Sequence, residues 1–507
     1  MDLNNIYNKD ALEGLKQLDE SSIDAIISDP PYQLSSMTKQ RTDLIAIEGN
    51  DGNGNPFCRP QAKTGFMNKD WDVLPSVDIL KECLRVLKSG SWALWLMTPR
   101  QDSQLEFMLR LRQAGFNISF SSIEWVYASG FPKAADLSLL ADKRACKEDL
   151  IQKLNREPTT EEFNKAWDKW REKVAVNPNS RPNAEKSLMD LGWTGEGNIA
   201  YETNPHIQEA QTLSGSYAGM QLKPARELII VSQKPIIGKT YLDQALLHLK
   251  EPEHNQIGGT WLDDARIPYK DEKDRIEGQS ARKSLTVDTL FPIGGYDRSG
   301  RSQIMGRFPA NIIVSDNALD IGANKKSTKI NSTGGFGAGV NTFGAGVVDY
   351  ERGYEDSGDL SRYFDLDFWF SNKIKELPKE QQKIFSLLYV PKASKSERNK
   401  GLEHLPEKNQ DTVGNQTNKE TADKFGAERK AKMQNIHPTC KPIKLLSYLI
   451  TLTTRENDIV LDPFIGSGTT AISSILLKRK FIGFEREKEY YDIAAERIKH
   501  YQKQKVL

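Results

Sequence analysis

The sequence predicts an α/β fold, and three observations carry that prediction. Near the start, short apolar segments alternate with amphipathic helical ones. The last block, "NDIVLDPFIGSGTTAISSILLKRKFIGFEREKEYYDIAAERIKHY", runs strand, Gly-rich turn, helix, strand, helix. Between these two blocks the pattern turns irregular, rich in Gly, Asn and aromatic residues, as an insertion into such a fold would be.

At 507 residues the chain exceeds one ordinary core, so two or three domains are expected. Charged residues at 27% and hydrophobic ones at 38% give a globular balance. The start, "MDLNNIYNKDALEGL", has no basic region followed by an apolar block, and no apolar run is long enough to span a bilayer. The expected location is the cytoplasm, with no membrane partner. A net charge of +1 does not announce nucleic acid, so any basic face must be local. Cys58, Cys83, Cys146 and Cys440 are scattered without a CxxC pair. That argues against a disulfide framework and a zinc site, and no metal is expected.

"SIDAIISDPPY" reads as a buried strand, Ile23 to Ile27, ending in a turn. "ILKECLRVLKSGSWALWLM" reads as a helix from about Val77 stopped by Gly90, then a strand from Trp92 to Met97. "DSQLEFMLRLRQAGF" is a helix closed by Gly115, and "SIEWVYA" the next strand. Thr159 and Glu162 form a capping box before a charged, Trp-bearing helix. Asn, Pro and Gly dominate from Asn177 to Tyr217, so residues 136–221 read as an insertion and 222–236 as a return to core strand. Residues 237–390 are irregular and contain the low-complexity "NSTGGFGAGVNTFGAG" at 331–346. Residues 391–432 read as an exposed basic linker, and 433–507 as the closing α/β block.

Two motifs carry chemistry. In "IVLDPFIGSGTT", 459–470, Gly466 and Gly468 let the chain turn sharply from a strand into a helix whose first amides face the turn. Such a turn can cradle a nucleotide-like ligand, although it also reads as a tight connection. Glu485, at the end of the next strand, sits where an acid can accept from ribose hydroxyls, or it simply opens a helix. The second motif is "DPPY". Pro30 and Pro31 fix the backbone after Asp29, so its carboxylate and the Pro30 carbonyl hold constant positions beside the flat face of Tyr32. Two fixed acceptors and an aromatic plane suit an exocyclic amine on a base. An aryl amine is a poor nucleophile because its lone pair is delocalised; accepting its hydrogens favours a pyramidal nitrogen with a localised pair.

Together the motifs resemble the site-specific DNA amino-methyltransferases of the N6-adenine/N4-cytosine family, which use S-adenosylmethionine. "SDPPY" is similar to their catalytic motif and "DPFIGSGTT" to their cofactor loop; this order resembles the β-type permutation. "IHPTCKP" lies where that permutation keeps its remaining cofactor segment, and "GFMNKDWD", "SGFPKA", "GRFPANIIV" and "YVPKASKSERNKG" resemble a phage and prophage subgroup.

The resemblance implies a class I methyltransferase fold, a Rossmann-like mixed seven-stranded sheet with an inserted target-recognition domain. Residues 1–135 would be the catalytic half, 237–390 the target-recognition region and 433–507 the cofactor half, with Asp29 near Gly466. Asp29, Pro30, Pro31 and Tyr32 would be catalytic. Asp10, Ala11, Asp29, His437, Lys441, Pro442, Asp462, Phe464, Gly466, Gly468, Thr469, Thr470 and Glu485 would meet the cofactor, Asp10 at its adenine and Lys441 with Pro442 at its methionine end. Asp10 also reads as a plain helix N-cap.

The implied partner is double-stranded DNA, with the target base flipped out; a homodimer stays open. Phe66 and Trp71 are candidates to frame that base. Arg282, Arg298, Arg301 and Arg307 are candidates for base edges or phosphates, and Lys392, Lys395, Arg398 and Lys400 for phosphates, although each also reads as solvated surface charge. Asp at the head of "DPPY" resembles adenine-N6 enzymes, leaving N4-cytosine as the alternative. C5-cytosine chemistry needs a cysteine preceded by proline in that family, and none occurs. A fused nuclease rests only on "ERK", 428–430, and an RNA or protein amino-methyltransferase needs no middle region of this size.

Overall fold

The computed structural model describes residues 1–32, 71–127, 135–176, 201–218, 226–272, 274–275, 306–315, 330–332, 350–352, 364–382, 392–410 and 431–503. Its strands are β1 (Asn5–Tyr7), β2 (Ile23–Ser28), β3 (Leu87–Met97), β4 (Ile123–Tyr127), β5 (Lys173–Val176), β6 (Tyr201–Thr203), β7 (Arg226–Gln233) and β8 (Ile312–Ser315). Then follow β9 (Ile330–Ser332), β10 (Tyr350–Arg352), β11 (Lys408–Gln410), β12 (Ala431–Met433), β13 (Ile459–Asp462) and β14 (Lys480–Phe484).

Eight of these form the main sheet, in the order β1-β14-β13-β2-β3-β7-β4-β8. Every neighbouring pair is parallel except those made by β7, which runs antiparallel between β3 and β4. This is the mixed sheet expected, with one correction: it has eight strands rather than seven. The extra edge strand is β8, whose apolar "IIVS" pairs with β4 and comes from the irregular middle stretch. The remaining strands make three separate two-stranded pairs.

The first and last parts of the chain meet at the centre of this sheet, where β2 lies beside β13. All six residues of β2 are buried, as a strand covered on both faces requires. Two acids bolt the pair together. At the start of β2, Asp24 accepts from the Ile459 amide at 2.7 Å and from Gln256 at 2.6 Å, and Lys88 pairs with it at 2.6 Å. At the other end Ser28 Oγ donates to Asp462 at 2.6 Å. Each buried carboxylate is matched by donors, without which burial of its charge would be strongly unfavourable.

Helices cover both faces. Ala11–Leu15, Val77–Val86 and Gln101–Ala114 pack one core around Leu80, Trp95, Phe107 and Phe484. Leu366–Lys375, Ile443–Thr453, Thr469–Leu476 and Lys488–Lys503 pack the other around Trp369, Tyr448, Ile472 and Tyr501. The Thr159–Glu162 capping box is present, with both reciprocal bonds made, and Gly115 closes its helix at φ 103°. The helix expected to stop at Gly90 ends at Val86 instead, and β3 is already extended at Leu87. There the pairing of Leu87 with Ile23 and the Lys88–Asp24 contact override local helical pattern. Among the described residues no helix is long and apolar enough to cross a membrane.

Candidate active site

Strands β2 and β13 are parallel neighbours, so the turns after them open at the same edge of the sheet. Asp29 follows β2 directly. Its Oδ2 accepts from Lys441 Nζ at 2.5 Å, and its Oδ1 takes the Tyr32 hydroxyl. Lys441 also lies 3.1 Å from that hydroxyl and 5.4 Å from the Tyr32 ring centre. The turn is held from behind by Asp72, which accepts the Tyr32 amide at 3.1 Å. Burial lifts the Asp29 carboxyl above the usual range, beyond what Lys441 and Tyr32 draw back. Burial works against the Lys441 ammonium as well, but Asp29 and then Glu227 outweigh it and hold the proton on.

On the β13 side, Asp462 is a brace. It accepts Ser28 Oγ and Thr470 Oγ1, each at 2.6 Å, and the Phe464 amide at 3.0 Å, while burial pushes its pKa up to about 6. Gly466 sits at φ 51°, and a Cβ there would stand 2.7 Å from His437 Nε2. The turn therefore needs glycine on two counts, conformation and space. Glu485 accepts from the Gly466 amide at 3.0 Å and the Glu487 amide at 2.8 Å; burial raises its pKa to about 7. The Lys9 amide donates to the Glu485 carbonyl at 3.1 Å, which brings Asp10 alongside. Asp10 is exposed and caps the helix Ala11–Leu15 through the Leu12 amide, while Ala11 faces inward. Gly468, at φ 82°, starts the helix Thr469–Leu476; Thr469, Thr470 and Pro442 are buried, and Phe464 is half-buried.

His437 packs edge-on against Tyr490 at 4.6 Å, and Trp71 meets Tyr490 from the other side at 6.3 Å. Trp71 thus lies between the two turns in sequence and contact: its ring meets Tyr490, and its neighbour Asp72 accepts the Tyr32 amide. Burial, then Arg398, Lys441 and Arg497, pull the His437 pKa down to about 3, so its ring is neutral at ordinary pH.

Two of the expected DNA contacts are engaged inside the protein. Arg307, 6% exposed, places its guanidinium fork on Asp274, with one bond at 2.8 Å, and lies over Tyr269. Arg398 donates to the His437 carbonyl at 2.5 Å, joining the wall of the site. Lys395 pairs loosely with Glu407 at 3.9 Å, Lys400 is half-buried, and Lys392 is exposed with its ammonium 4.7 Å from the Tyr127 ring centre. Arg282, Arg298, Arg301, Phe66 and the "ERK" at 428–430 lie outside the described residues.

Sequence reading missed three residues. Glu227 opens β7 and points an oxygen to within 3.7 Å of Lys441 Nζ; Tyr127, at the end of β4, lies 3.4 Å from its other oxygen. Arg497, buried in the last helix, donates to the Ser467 carbonyl and, at 3.4 Å, to Thr469 Oγ1, bracing the glycine turn from below. An arginine on the apolar face of that helix was the available signal for Arg497. Glu227 and Tyr127 carried no local signal.

Residues 336–496 match the family model for N6/N4 methyltransferases, described as DNA methylase. The Type II methyltransferase M2.LlaDCHI of Lactococcus lactis subsp. cremoris is 48% identical over 71 residues, 14% of this chain and 26% of that protein. The orphan methyltransferase M.BamHII of Bacillus amyloliquefaciens is 54% identical over 65 residues, 13% of this chain and 24% of that protein. The chain thus spans about a quarter of the length of these curated relatives. Among solved structures, the cytosine-N4-specific PvuII DNA methyltransferase aligns at 11% identity over 99% of this chain and 92% of that one, TM-score 0.34. M1.HpyAVI aligns at 12% identity over 97% and 98%, TM-score 0.30. Motif order and the joined strands agree with this match, in which residues 336–496 are similar to the N6/N4 DNA methylase family.

Proposed function

We propose that this protein is a site-specific DNA methyltransferase that moves a methyl group from S-adenosylmethionine to the exocyclic N6 of adenine in duplex DNA, the base being flipped out of the stack. The observation that carries the reading is the meeting of the Asp29 turn and the Gly466 turn at the ends of adjacent parallel strands, pinned by Ser28 and Asp462. An acceptor for an amine and a cradle for a nucleotide-like donor then share one edge of one sheet. The match of residues 336–496 to a family described as DNA methylase supports a DNA substrate.

The residues present fit the donor. Gly466 lets the turn take φ 51° close against His437, the Glu485 carboxyl is an acceptor for ribose hydroxyls, and His437 adds no positive charge. Asp10, Ala11, Phe464 and Thr469 would line the adenosine, with His437, Lys441 and Pro442 toward the methionine. Bound S-adenosylmethionine supplies an electrophilic methyl group on a sulfonium. Asp29 and the Pro30 carbonyl accept the two amine hydrogens, which localises the nitrogen lone pair, while Tyr32 stacks on the base. The raised pKa of Asp29 suits it to take the proton that the nitrogen sheds and pass it to water.

Asp29 at the head of the motif supports adenine over cytosine, the alternative amine. Expression in a methylation-free bacterial host followed by modification-sensitive sequencing tests the reading. Adenine methylated at one short motif is expected; N4-methylcytosine would move the substrate to the alternative, and unmodified DNA would overturn the proposal.

A further inference from the structure

Both oxygens of Asp29 already have strong donors, Tyr32 on Oδ1 and Lys441 on Oδ2. An amine arriving at Oδ2 would share that oxygen with the Lys441 ammonium, 2.5 Å away, and gains the full acceptor only as the ammonium withdraws. Lys441 is 8% exposed, so an ammonium pushed off Asp29 without a new partner would be stranded inside the protein. Glu227 lies on its other side. Its Oε2 is buried, 3.7 Å from Lys441 Nζ, and has no hydrogen-bond partner among the described residues. The same carboxyl is steadied at Oε1 by the Tyr127 hydroxyl. One acid is thus engaged while the second stands ready, and a movement of about 1 Å brings Nζ within hydrogen-bond range of it.

We infer that Glu227 is the second seat of the Lys441 ammonium: when an amine engages Asp29, Lys441 moves to Glu227, keeping the site's charge balanced while freeing Asp29. Glu227 is then a positioning residue that acts through Lys441, without touching the reacting atoms. The inference rests on the methyl-transfer reading for its purpose, but the two-seat arrangement is testable without catalysis. The positions support it topologically. The antiparallel run of β7 sets Glu227 at the same sheet edge as Asp29 at the end of β2 and Tyr127 at the end of β4, with Lys441 just before the helix Ile443–Thr453.

Two experiments separate the inference from the reading. The first is a melting cycle on ligand-free protein with D29N, E227Q and the double variant. With either carboxylate left, Lys441 keeps a partner, so each single change should lower the melting midpoint by about 2 °C or less. The double should fall several degrees further than the sum, and K441M in the same backgrounds should erase that excess. Additive shifts would overturn the inference whatever the protein catalyses. The second is steady-state methyl transfer, in which E227Q should lower kcat about tenfold or more with the cofactor KM within about threefold. Unchanged kcat in an active enzyme would also overturn it. A wild type with no transferase activity would instead overturn the proposed function, leaving the melting cycle to judge the two seats.

Discussion

Strands β2 and β13 lie side by side, and each leads into an aspartate–proline step, Asp29–Pro30 just after β2 and Asp462–Pro463 at the end of β13. Their carboxyls are held in opposite ways. Asp462 takes short bonds from Ser28 and Thr470, side chains with little reach, and one from the Phe464 amide. Asp29 is held by the far ends of two long side chains, Lys441 and Tyr32, which can change partners. The same local pattern thus gives a fixed brace at one turn and an exchangeable acceptor at the other. Tyr32 and Thr470 are local to the acids they serve, but Lys441 and Ser28 come from more than 400 residues away, which local pattern does not encode.

The comparison can be broken most sharply at Asp29. D29A should lower single-turnover methyl transfer by about 10³-fold, the scale of losing a preorganised polar contact to a reacting group. Calorimetry should find cofactor affinity reduced far less than transfer, because Asp29 is one of many residues expected to meet the cofactor but is the side-chain acceptor for the amine. A comparable loss of affinity would make Asp29 a brace like its neighbour.

D462A should act the other way, on the fold. It leaves the buried hydroxyls of Ser28 and Thr470 without their acceptor, so unfolding in urea should show about 2–4 kcal/mol less stability. D462N, which keeps one acceptor oxygen, should lose less. G466A sharpens the contrast further, since its Cβ enters the space beside His437 at an unfavourable φ. Cofactor binding should weaken about tenfold, with a smaller change in melting, as expected of a strained turn.

The smallest effect expected is one of pH. Glu485 has its pKa raised to about 7 by burial, so the ligand-free protein takes up a proton there as pH falls through that value. Ribose hydroxyls that donate to the carboxylate favour its ionised form, so binding releases the proton and affinity should rise from pH 6 to 8, by up to about tenfold. For stability of the ligand-free fold the sign is reversed. A raised carboxyl pKa contributes most below about pH 4 and is lost as pH rises through about 7. E485Q should flatten the binding profile measured by calorimetry. His437, with its pKa near 3, stays neutral throughout and leaves that profile untouched.

Much of the fold is legible in the sequence because strand, turn and helix signals are local. The "IDAIIS" run, Gly115 and the Thr159 capping box all act within a few residues. What escaped depended on partners distant in the chain. Arg307 and Arg398 read as surface charges, since nothing nearby reveals that Asp274 buries the first and the His437 carbonyl engages the second, half-buried. Glu227 was invisible for the same reason: only the reversal of β7 between β3 and β4 carries it to Lys441. Gly90 misled as a helix stop, because contacts from β2 extend the chain before it is reached.

A crystal structure with S-adenosylhomocysteine bound tests most directly whether the two turns form one pocket. The adenosine should rest against Gly466 and Glu485, with the sulfur directed toward the Asp29 carboxyl. A ligand seated away from the β13 turn, or one walled off from Asp29 by protein, would contradict the account.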